Sequence, residues 1–343
     1  MLRVVKAEGD GATRGRAIGS ELGDLVHRSL GFYRDYLADL GIRDLAAAIA
    51  PYRAAAERSL PEHMKTIAAM AAAAEVSEDE LFAVNACEEL EVLPRPAGRS
   101  PVERCSTFTA VGPGFTILAH NEQWFAGDAD NVALIVERPS EAVAVASPTP
   151  AACLPAVGMN GLGGAQGIDS LTAQDDGVGV PRVLVSRHGL EAGGRPDAIR
   201  RVGLPGRAGG YAHVYAFRGG EAFTLETTAR ELAVLHGPGP HTNHYLDPKA
   251  SELGHEPSAG SFSRYERLRQ LLEEHPPTSP EDAVEILRDH DSSPQAICKH
   301  ACPGAPEEST VVFSMVCELE SLRMWVAPGN PCETDYEEVE LSL

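Results

Sequence analysis

The sequence is poor in basic residues and contains no long hydrophobic run. Its 343 residues include 29 lysines and arginines against 50 aspartates and glutamates, for a formal net charge of −21. Nucleic acids and anionic lipid surfaces both select basic protein faces, so we expect neither nucleic acid nor membrane as a partner. No apolar stretch is long enough for a secretory signal or a membrane span, and a cytoplasmic location is therefore expected.

Cysteines are few, scattered and odd in number. There are seven, at positions 87, 105, 153, 298, 302, 317 and 332. Without a secretory signal, such a set favours reduced thiols over disulfides. Apolar residues make up 43% of the chain and charged residues 23%, which is typical of a globular protein with a substantial core.

The first part of the chain has a helical pattern. Apolar residues recur at helical spacing over 14–39, and alanine-rich helical patterns continue to about residue 74. Ser77 and Glu80 have the spacing of a capping box, which predicts a helix that ends before Pro94. Residues 1–93 are therefore expected to be largely helical, with some β content near 3–7.

Beyond residue 105 the pattern favours strands. The predicted strands cover 105–111, 115–120, 131–137, 141–147, 211–218, 221–227, 231–236, 309–319 and 321–327. Helices are expected after Pro181 and over 262–274 and 280–290. This mixture predicts an α+β fold in which two antiparallel sheets carry inserted helices.

The region 105–124 is typical of a β-hairpin, because two β-rich flanks enclose Gly-Pro-Gly. Counting outward from Pro113 predicts that Cys105 lies opposite Asn121, about 5 Å away. Upstream, 94–104 is too rich in proline to extend a helix or a central strand. An irregular linker thus ends abruptly at a cysteine that begins a strand.

Cys105 is a candidate nucleophile, although a buried structural thiol is the commoner role for cysteine. Ser106 and Thr107 follow it, and His120 lies across the turn. The base required for attack is available if Cys105 becomes N-terminal, since an α-amine titrates near pH 8. Exposing that amine requires cleavage of the Arg104–Cys105 bond.

Several motifs, in this order and at these separations, resemble the penicillin acyltransferase-like branch of the N-terminal-nucleophile hydrolases, which includes isopenicillin N acyltransferase. The motifs are Ala83-Val-Asn85-Ala-Cys-Glu88-Glu89-Leu, Cys105-Ser-Thr-Phe, Ala119-His-Asn121-Glu-Gln-Trp124, Gly158-Met-Asn160-Gly-Leu-Gly, Gly179-Val-Pro181-Arg182, His241-Thr-Asn243-His244-Tyr-Leu, Thr310-Val-Val-Phe-Ser-Met-Val and Pro328-Gly-Asn-Pro-Cys332. The resemblance covers most of the chain.

The resemblance implies a four-layer αββα sandwich that cuts itself into two associated chains, 1–104 and 105–343. Cys105 would be the nucleophile, and its freed amine the general base and acid. The side chain of Asn243 would hold the tetrahedral oxyanion, helped by the region of Asn121 or Asn160. No cofactor is implied.

The resemblance also suggests supporting residues. Family members commonly carry glycine where Arg104 stands and aspartate at Gln123, so Glu122 would have to orient the amine instead.

Other readings of the supporting positions stay open. Glu88 would line the site from the first chain or be a solvated helix residue. Arg182 would hold a substrate carboxylate or be an ordinary surface arginine, and Trp124 would be pocket wall or core. A papain-type pair of Cys105 with His120 or His241 is a further alternative.

Two patterns invite comparison with metal sites, and neither is complete. His241 and His244 are three residues apart but have no third ligand at a characteristic spacing. Cys298-Lys-His300-Ala-Cys302 has a Cys-x-His-x-Cys spacing without a second half elsewhere. We therefore expect no metal, and interpret this segment as a loop with unligated thiols.

The function expected from these residues is hydrolysis of an amide bond in a small molecule, through an acyl-enzyme on Cys105. The acidic surface does not favour a polyanionic acyl donor. One alternative is an acyltransferase that moves an acyl group from a thioester or amide to an amine. An alternative of another class is a non-catalytic binding protein on the same fold.

Overall fold

The computed structural model describes residues 2–92, 104–140, 142–256 and 258–340. Within these residues the chain forms two β-sheets. In spatial order, the eight-stranded sheet contains β1 (Arg3–Gly9), β4 (Val132–Pro139), β5 (Val145–Pro150), β6 (Gly158–Asn160), β7 (Gly164–Leu171), β8 (Gly210–Phe217), β9 (Glu221–Thr227) and β10 (Leu232–His236). The six-stranded sheet contains β11 (Pro240–His241), β2 (Ser106–Gly112), β3 (Phe115–Phe125), β12 (Ser309–Glu318), β13 (Arg323–Pro328) and β14 (Glu337–Glu340).

The helices are α1 (Gly11–Asp39), α2 (Leu45–Ser59), α3 (Pro61–Ala73), α4 (Glu78–Asn85), α5 (Cys87–Val92), α6 (Arg182–Gly189), α7 (Arg195–Val202), α8 (Pro248–Leu253), α9 (Ala259–Glu274) and α10 (Pro280–Leu287). Strands β2 and β3 contact β7 and β8, so the two sheets face each other. Helices α1, α6 and α7 pack on the eight-stranded sheet, and α9 and α10 on the six-stranded sheet. The predicted αββα sandwich is confirmed.

The N-terminal segment is helical as predicted, and it also supplies a strand. Strand β1 pairs in parallel with β4, so residues near the N-terminus form one edge of the eight-stranded sheet. Asp10 caps α1 by accepting a hydrogen bond from the backbone N–H of Thr13. Helix α1 packs closely on α3 at Gly15, which has no Cβ atom. A Cβ atom there would lie only 2.2 Å from the carbonyl oxygen of Thr66.

The hairpin of β2 and β3 exists, but its predicted register is wrong by one residue. A two-residue turn at Pro113 and Gly114 joins the strands, with Gly114 in the left-handed region at φ 82°. Ser106, and not Cys105, therefore pairs with Asn121. Because side chains alternate along a strand, this slip moves the side chain of Asn121 to the face of the sheet opposite Cys105 and brings Glu122 to the face of Cys105.

All seven cysteines are free, as expected. Among the described residues, no helix has both the length and the apolar character needed to cross a bilayer.

Glu137 on β4 forms a buried ion pair with each of two arginines. Its carboxylate oxygens lie 2.9 Å from Nε of Arg14 and 2.7 Å from Nη2 of Arg187, and all three side chains are at most 5% exposed. Replacing Glu137 with alanine should lower the free energy of unfolding by about 3–5 kcal/mol, because Arg14 loses its buried carboxylate and Arg187 is left with Glu191. Urea denaturation measures this.

The control is Glu8→Ala, which breaks an exposed pair with Arg138 on the same side of the molecule. Its expected cost is below about 1 kcal/mol. Equal effects of the two substitutions would show that the Glu137 cluster does not stabilise the fold as described.

Candidate active site

Cys105 lies immediately before β2, in the space between the two sheets. It is 2% exposed, and its backbone has φ +57°, a left-handed conformation that is costly for a residue with a Cβ atom. Its thiol donates a hydrogen bond of 3.2 Å to Oε1 of Glu122 on β3. The side chain with which Cys105 interacts across the hairpin is thus a carboxylate and not the predicted amide.

Two side chains hold the backbone on either side of the Arg104–Cys105 peptide bond. Oδ1 of Asn243 accepts a hydrogen bond of 3.2 Å from the backbone N–H of Arg104. Arg264 on α9 donates to the carbonyl oxygen of Cys105 and, over 2.9 Å, to Oγ of Ser106. It also donates to Oδ1 of Asn243 over 2.9 Å, so the two clamping residues are tied to each other.

A series of buried hydrogen bonds leads from Glu122 away from the thiol. Oε2 of Glu122 lies 3.0 Å from Nε2 of His120, whose Nδ1 lies 2.8 Å from Oγ1 of Thr107. Thr107 donates to Asp169 on β7 over 3.1 Å, and Asp169 lies 3.4 Å from Nδ1 of His241. We call this series, from Glu122 to His241, the buried polar chain. It links the two sheets through their facing surfaces.

The papain-type pairs considered for Cys105 are not formed. Glu122 stands between the thiol and His120, and His241 lies at the far end of the buried polar chain. Cys105, His120 and Glu122 are close enough together to suggest a metal site. Their mutual hydrogen bonds account for that proximity without an ion.

The thiol of Cys105 is protonated in this environment. Burial raises its pKa well above 9, and the nearby carboxylates of Glu122 and Asp169 raise the pKa further, while the backbone N–H of Gln123 has the opposite effect. Attack therefore requires a group that accepts the thiol proton.

His241 carries a positive charge when the protein is folded. Burial alone would lower its pKa, but Asp169 and Glu226 outweigh burial and raise the pKa to about 9. Nε2 of His241 lies 2.8 Å from Glu226, which also accepts hydrogen bonds from the backbone N–H groups of Leu246 and Asp247. The segment that carries Asn243 is thereby anchored.

A histidine whose pKa rises on folding stabilises the fold at low pH. The contribution of His241 should be complete below about pH 6.5 and lost as the pH rises through about 9, a change of about 3 kcal/mol. Thermal or urea unfolding of wild type and His241→Gln from pH 6 to pH 10 tests this. The difference in unfolding free energy between the two proteins should shrink as the pH rises from about 6.5 to about 9.

The matching control is His236→Gln, which changes an exposed histidine on β10. It should follow the wild-type pH profile. A constant difference between wild type and His241→Gln at all pH values would contradict a charged His241.

Arg104 fills a pocket built for a guanidinium group. Its Cζ lies 3.7 Å from the ring centroid of Trp124, and its nitrogens lie 3.0 Å from Glu88 and 2.6 Å from Glu91. The side chain is 2% exposed. Burial would raise the pKa of Glu88, but Arg104 and Arg182 more than offset it and the pKa is lowered. Glu88 and Trp124 thus lie beside the junction, and the bulk of Arg104 is accommodated.

Four of the predicted site residues point elsewhere. Nδ2 of Asn121 donates to the carbonyls of Leu287 and Ile297 on the outer face of the six-stranded sheet.

Gln123 has the same orientation as Asn121, and also donates to Ile297. The wrong hairpin register placed Asn121 beside the thiol, whereas Gln123 was named from the family resemblance; neither side chain faces Cys105. Gln123 reaches the thiol only through its backbone N–H.

Asn160 and Arg182 serve the fold. Nδ2 of Asn160 donates to the carbonyls of Leu190 and Ala192, and its Oδ1 accepts from two backbone N–H groups of its own turn. Arg182 is buried among Glu89, Glu88 and Asp176, so it is neither a surface arginine nor available to a substrate carboxylate. It joins α6 to the N-terminal segment.

Sequence reasoning missed Arg264, Asp169 and Glu226. Each is a charged residue with 0% exposure. Asp169 and Glu226 are buried charged residues within β7 and β9, whose other residues are mostly buried too. Arg264 lies on the buried face of α9 with Gly260, Ser261 and Leu268. A charge within an apolar pattern was therefore the available signal.

Two cavities differ in their relation to this site. A small one, of about 50 Å³, adjoins Glu122 and Trp124; its other walls are mainly apolar and include Leu154, Ile168 and Phe313. A larger one, of about 510 Å³, is lined by residues of α1, α3 and α6 and contains none of the residues around Cys105. Of these two cavities, the small one is therefore the one that adjoins Glu122.

Comparison with known proteins gives one family and several distant structures. A family model described as acyl-coenzyme A:6-aminopenicillanic acid acyl-transferase matches residues 111–333. Penicillin V acylase from Agrobacterium tumefaciens aligns over 65% of this chain and 82% of its own, with 14% identity and a TM-score of 0.46. A mutant of conjugated bile acid hydrolase from Clostridium perfringens aligns over 69% of this chain and 97% of its own, with 11% identity and a TM-score of 0.45. A search of curated proteins found no match.

The matched region begins at residue 111, near the end of β2, and extends to the turn after β13, so it includes most of both sheets. It covers well over half of the chain. The chain therefore belongs to the acyl-coenzyme A:6-aminopenicillanic acid acyl-transferase family.

Proposed function

We propose that this protein cuts itself between Arg104 and Cys105 and then acts as an amidohydrolase with Cys105 as its N-terminal nucleophile. The observation that carries the proposal is the convergence on one peptide bond. The buried thiol of Cys105 is hydrogen-bonded to the carboxylate of Glu122, and the backbone of Cys105 is left-handed. Asn243 and Arg264 hold the backbone on the two sides of the Arg104–Cys105 bond.

Self-cleavage begins with transfer of the thiol proton to Glu122, 3.2 Å away. The sulfur attacks the carbonyl carbon of Arg104, the Arg104–Cys105 C–N bond breaks, and the departing nitrogen takes up a proton. Water then hydrolyses the thioester, which leaves a carboxylate on Arg104 and a free amine on Cys105. The left-handed backbone of Cys105 favours the reaction, since strain of about 1–3 kcal/mol is released when the bond breaks.

In the mature enzyme the α-amine of Cys105 takes over proton transfer. It accepts the thiol proton as sulfur attacks the acyl carbonyl of the substrate, and returns it to the leaving amine. Glu122 is placed to hold the resulting ammonium group. Water completes the cycle by hydrolysing the acyl-enzyme.

Asn243 is the proposed oxyanion donor. Its Oδ1 accepts from the backbone N–H of Arg104 at the junction and from Arg264, which fixes the amide. Its Nδ2 donates one hydrogen to the carbonyl of Ser170 and has a second hydrogen to donate to the oxyanion. A pre-oriented donor of this kind contributes about 3–4 kcal/mol to lowering the barrier. Arg264 acts through Asn243 and is a positioning residue.

The small cavity beside Glu122 and Trp124 suggests the kind of substrate. Its walls are mainly apolar, so a carbon-rich acyl group is favoured over a charged one. The cavity volume of about 50 Å³ is that of the uncut protein, in which the side chain of Arg104 still fills the neighbouring pocket beside Trp124.

The proposal is tested by trapping the acyl-enzyme. Cleaved protein is incubated with acetyl, hexanoyl and phenylacetyl p-nitroanilides, quenched in acid and analysed by mass spectrometry. We expect one acyl group on the larger chain, mapped to Cys105, together with release of nitroaniline. Hydroxylamine added as an acceptor distinguishes transfer to an amine from hydrolysis.

Cys302→Ser is the matched control, because Cys302 is exposed and distant in the chain from the site. It should acylate like wild type. Fully cleaved protein that acylates elsewhere, or releases nitroaniline equally well after alkylation of Cys105, would overturn the assignment.

A further inference from the structure

Four nitrogen and sulfur ligands converge at a place remote in sequence from Cys105. His290, Cys298 and His300 lie in the segment between α10 and β12, and Cys332 lies in the turn that follows β13. One ligand atom from each residue lies within 4.8 Å of the ligand atoms of the other three. None of the four takes part in the mechanism proposed above. We call this group the Cys2His2 cluster.

Four of the six distances between these ligand atoms lie close to the edges of a tetrahedral zinc site, and the other two are within 4.8 Å. Sγ of Cys298 lies 3.5 Å from Sγ of Cys332, and the Nε2 atoms of His290 and His300 are 3.1 Å apart. Nε2 of His300 lies 3.3 Å from Sγ of Cys332 and 3.8 Å from Sγ of Cys298. Zinc bonds of about 2.3 Å to sulfur and about 2.0–2.1 Å to nitrogen give tetrahedral edges of about 3.3–3.8 Å. We propose that the Cys2His2 cluster binds one zinc ion.

The chemistry of the donors supports zinc over other metals. Two thiolates and two imidazoles in a tetrahedron suit Zn²⁺, whereas calcium and magnesium prefer oxygen. Four protein ligands leave no position for water, as expected of a structural ion.

Neighbouring groups are placed to orient the ligands. Nδ2 of Asn330 donates to the carbonyl of Lys299 over 2.7 Å and approaches Sγ of Cys298 at 3.7 Å. Oε1 of Glu333 lies 3.7 Å from Nδ1 of His300, the nitrogen left over when Nε2 binds metal. A carboxylate behind a histidine ligand and an amide beside a thiolate are typical supports of zinc sites.

The sequence pattern did not reveal this cluster, because it grouped Cys298 and His300 with Cys302 and not with Cys332. Cys302 of the Cys-x-His-x-Cys pattern is exposed, and its backbone N–H donates to Glu308. The missing ligands come from His290, ahead of the pattern, and from Cys332, which the β12–β13 hairpin brings back. Neither has a spacing that sequence motifs recognise.

The ion would stabilise the wall behind the active site. Ile297, next to Cys298, accepts hydrogen bonds from the side chains of Asn121 and Gln123 on β3. The inward-facing neighbours of those residues are His120 and Glu122. Zinc bound to the loop that contains Cys298 would therefore support β3, the strand that presents Glu122 to the thiol of Cys105.

Tag-free full-length protein, purified under reduction and stripped with a chelator, provides the test. After addition of zinc chloride and gel filtration, we expect one zinc per chain by elemental analysis. Cobalt in place of zinc should produce thiolate charge-transfer and tetrahedral ligand-field absorption bands. Cys332→Ser and His290→Ala should weaken metal binding at least 100-fold, while Cys302→Ser should bind like wild type.

Thermal unfolding gives an independent readout that does not depend on activity. Zinc should raise the unfolding midpoint of wild type and Cys302→Ser, and leave that of Cys332→Ser unchanged. The proposal is overturned if stripped wild-type protein retains less than about a tenth of an ion per chain in excess zinc. It also fails if Cys302→Ser loses binding with the others, or if the freshly isolated protein carries a Cys298–Cys332 disulfide and no metal.

Discussion

Cys105→Ala is expected to remain a single chain, whereas wild type separates into two chains at the Arg104–Cys105 bond. The effect should be all or none, because alanine removes the only group proposed to attack the Arg104 carbonyl. Clamping by Asn243 and Arg264 holds the backbone but breaks no bond. Denaturing mass spectrometry of purified protein shows both the number of chains and the first residue of the larger one.

Two companion variants make this result specific. Cys105→Ser keeps the shape of the side chain and should cut far more slowly than wild type, since a hydroxyl is a weaker nucleophile than a thiol. Cys302→Ser, an exposed cysteine, should cut normally. A wild-type protein that stays intact, or a Cys105→Ala protein that is cut at the same bond, would refute self-cleavage by this thiol.

Glu122→Gln is expected to slow self-cleavage by a factor of about 10²–10⁴, the usual contribution of a positioned proton acceptor. The amide keeps the size of the side chain but cannot accept the thiol proton, and burial and nearby carboxylates already hold the pKa of Cys105 well above 9. A time course of chain cleavage in freshly synthesised protein, made in a short cell-free pulse and separated by denaturing gel electrophoresis, measures the rate for wild type and variant.

The pH dependence separates proton transfer from a structural role. If Glu122 is the acceptor, the deficit of Glu122→Gln should narrow as the pH rises, because hydroxide takes over proton removal. Glu320→Gln, which alters a carboxylate at the β2–β3 turn end of the sheet, should behave as wild type throughout. A deficit that stays constant with pH would assign Glu122 to positioning alone.

Local patterns predicted the elements of this fold well. Helix α1, the hairpin and the late strands β8, β9, β12 and β13 follow directly from apolar periodicity and turn residues. The register of the hairpin did not, because Gly112-Pro113-Gly114 allows more than one turn centre. A difference of one residue decides whether Asn121 or Glu122 faces the thiol.

The site was only partly predictable, for a related reason. Cys105 and Asn243 belong to motifs that stand out along the chain, and Arg104 is the last residue of the linker before Cys105. Arg264 and Asp169 each stand out in sequence as a charge within an apolar pattern, but their partners are known only when the fold brings α9 and β7 to the same place. Long-range contacts of this kind leave no local pattern.

If the protein cuts itself as proposed, the parallel pairing of β1 with β4 would keep the two products as parts of one sheet. Before the cut, the N-terminal segment is tethered to its docking site and folding is unimolecular. After the cut, recovery from unfolding requires an encounter between two molecules, and their stability depends on concentration. On the proposed mechanism, the Arg104–Cys105 bond would therefore be a temporary tether, present during folding, and an enzyme denatured after the cut would not readily reassemble.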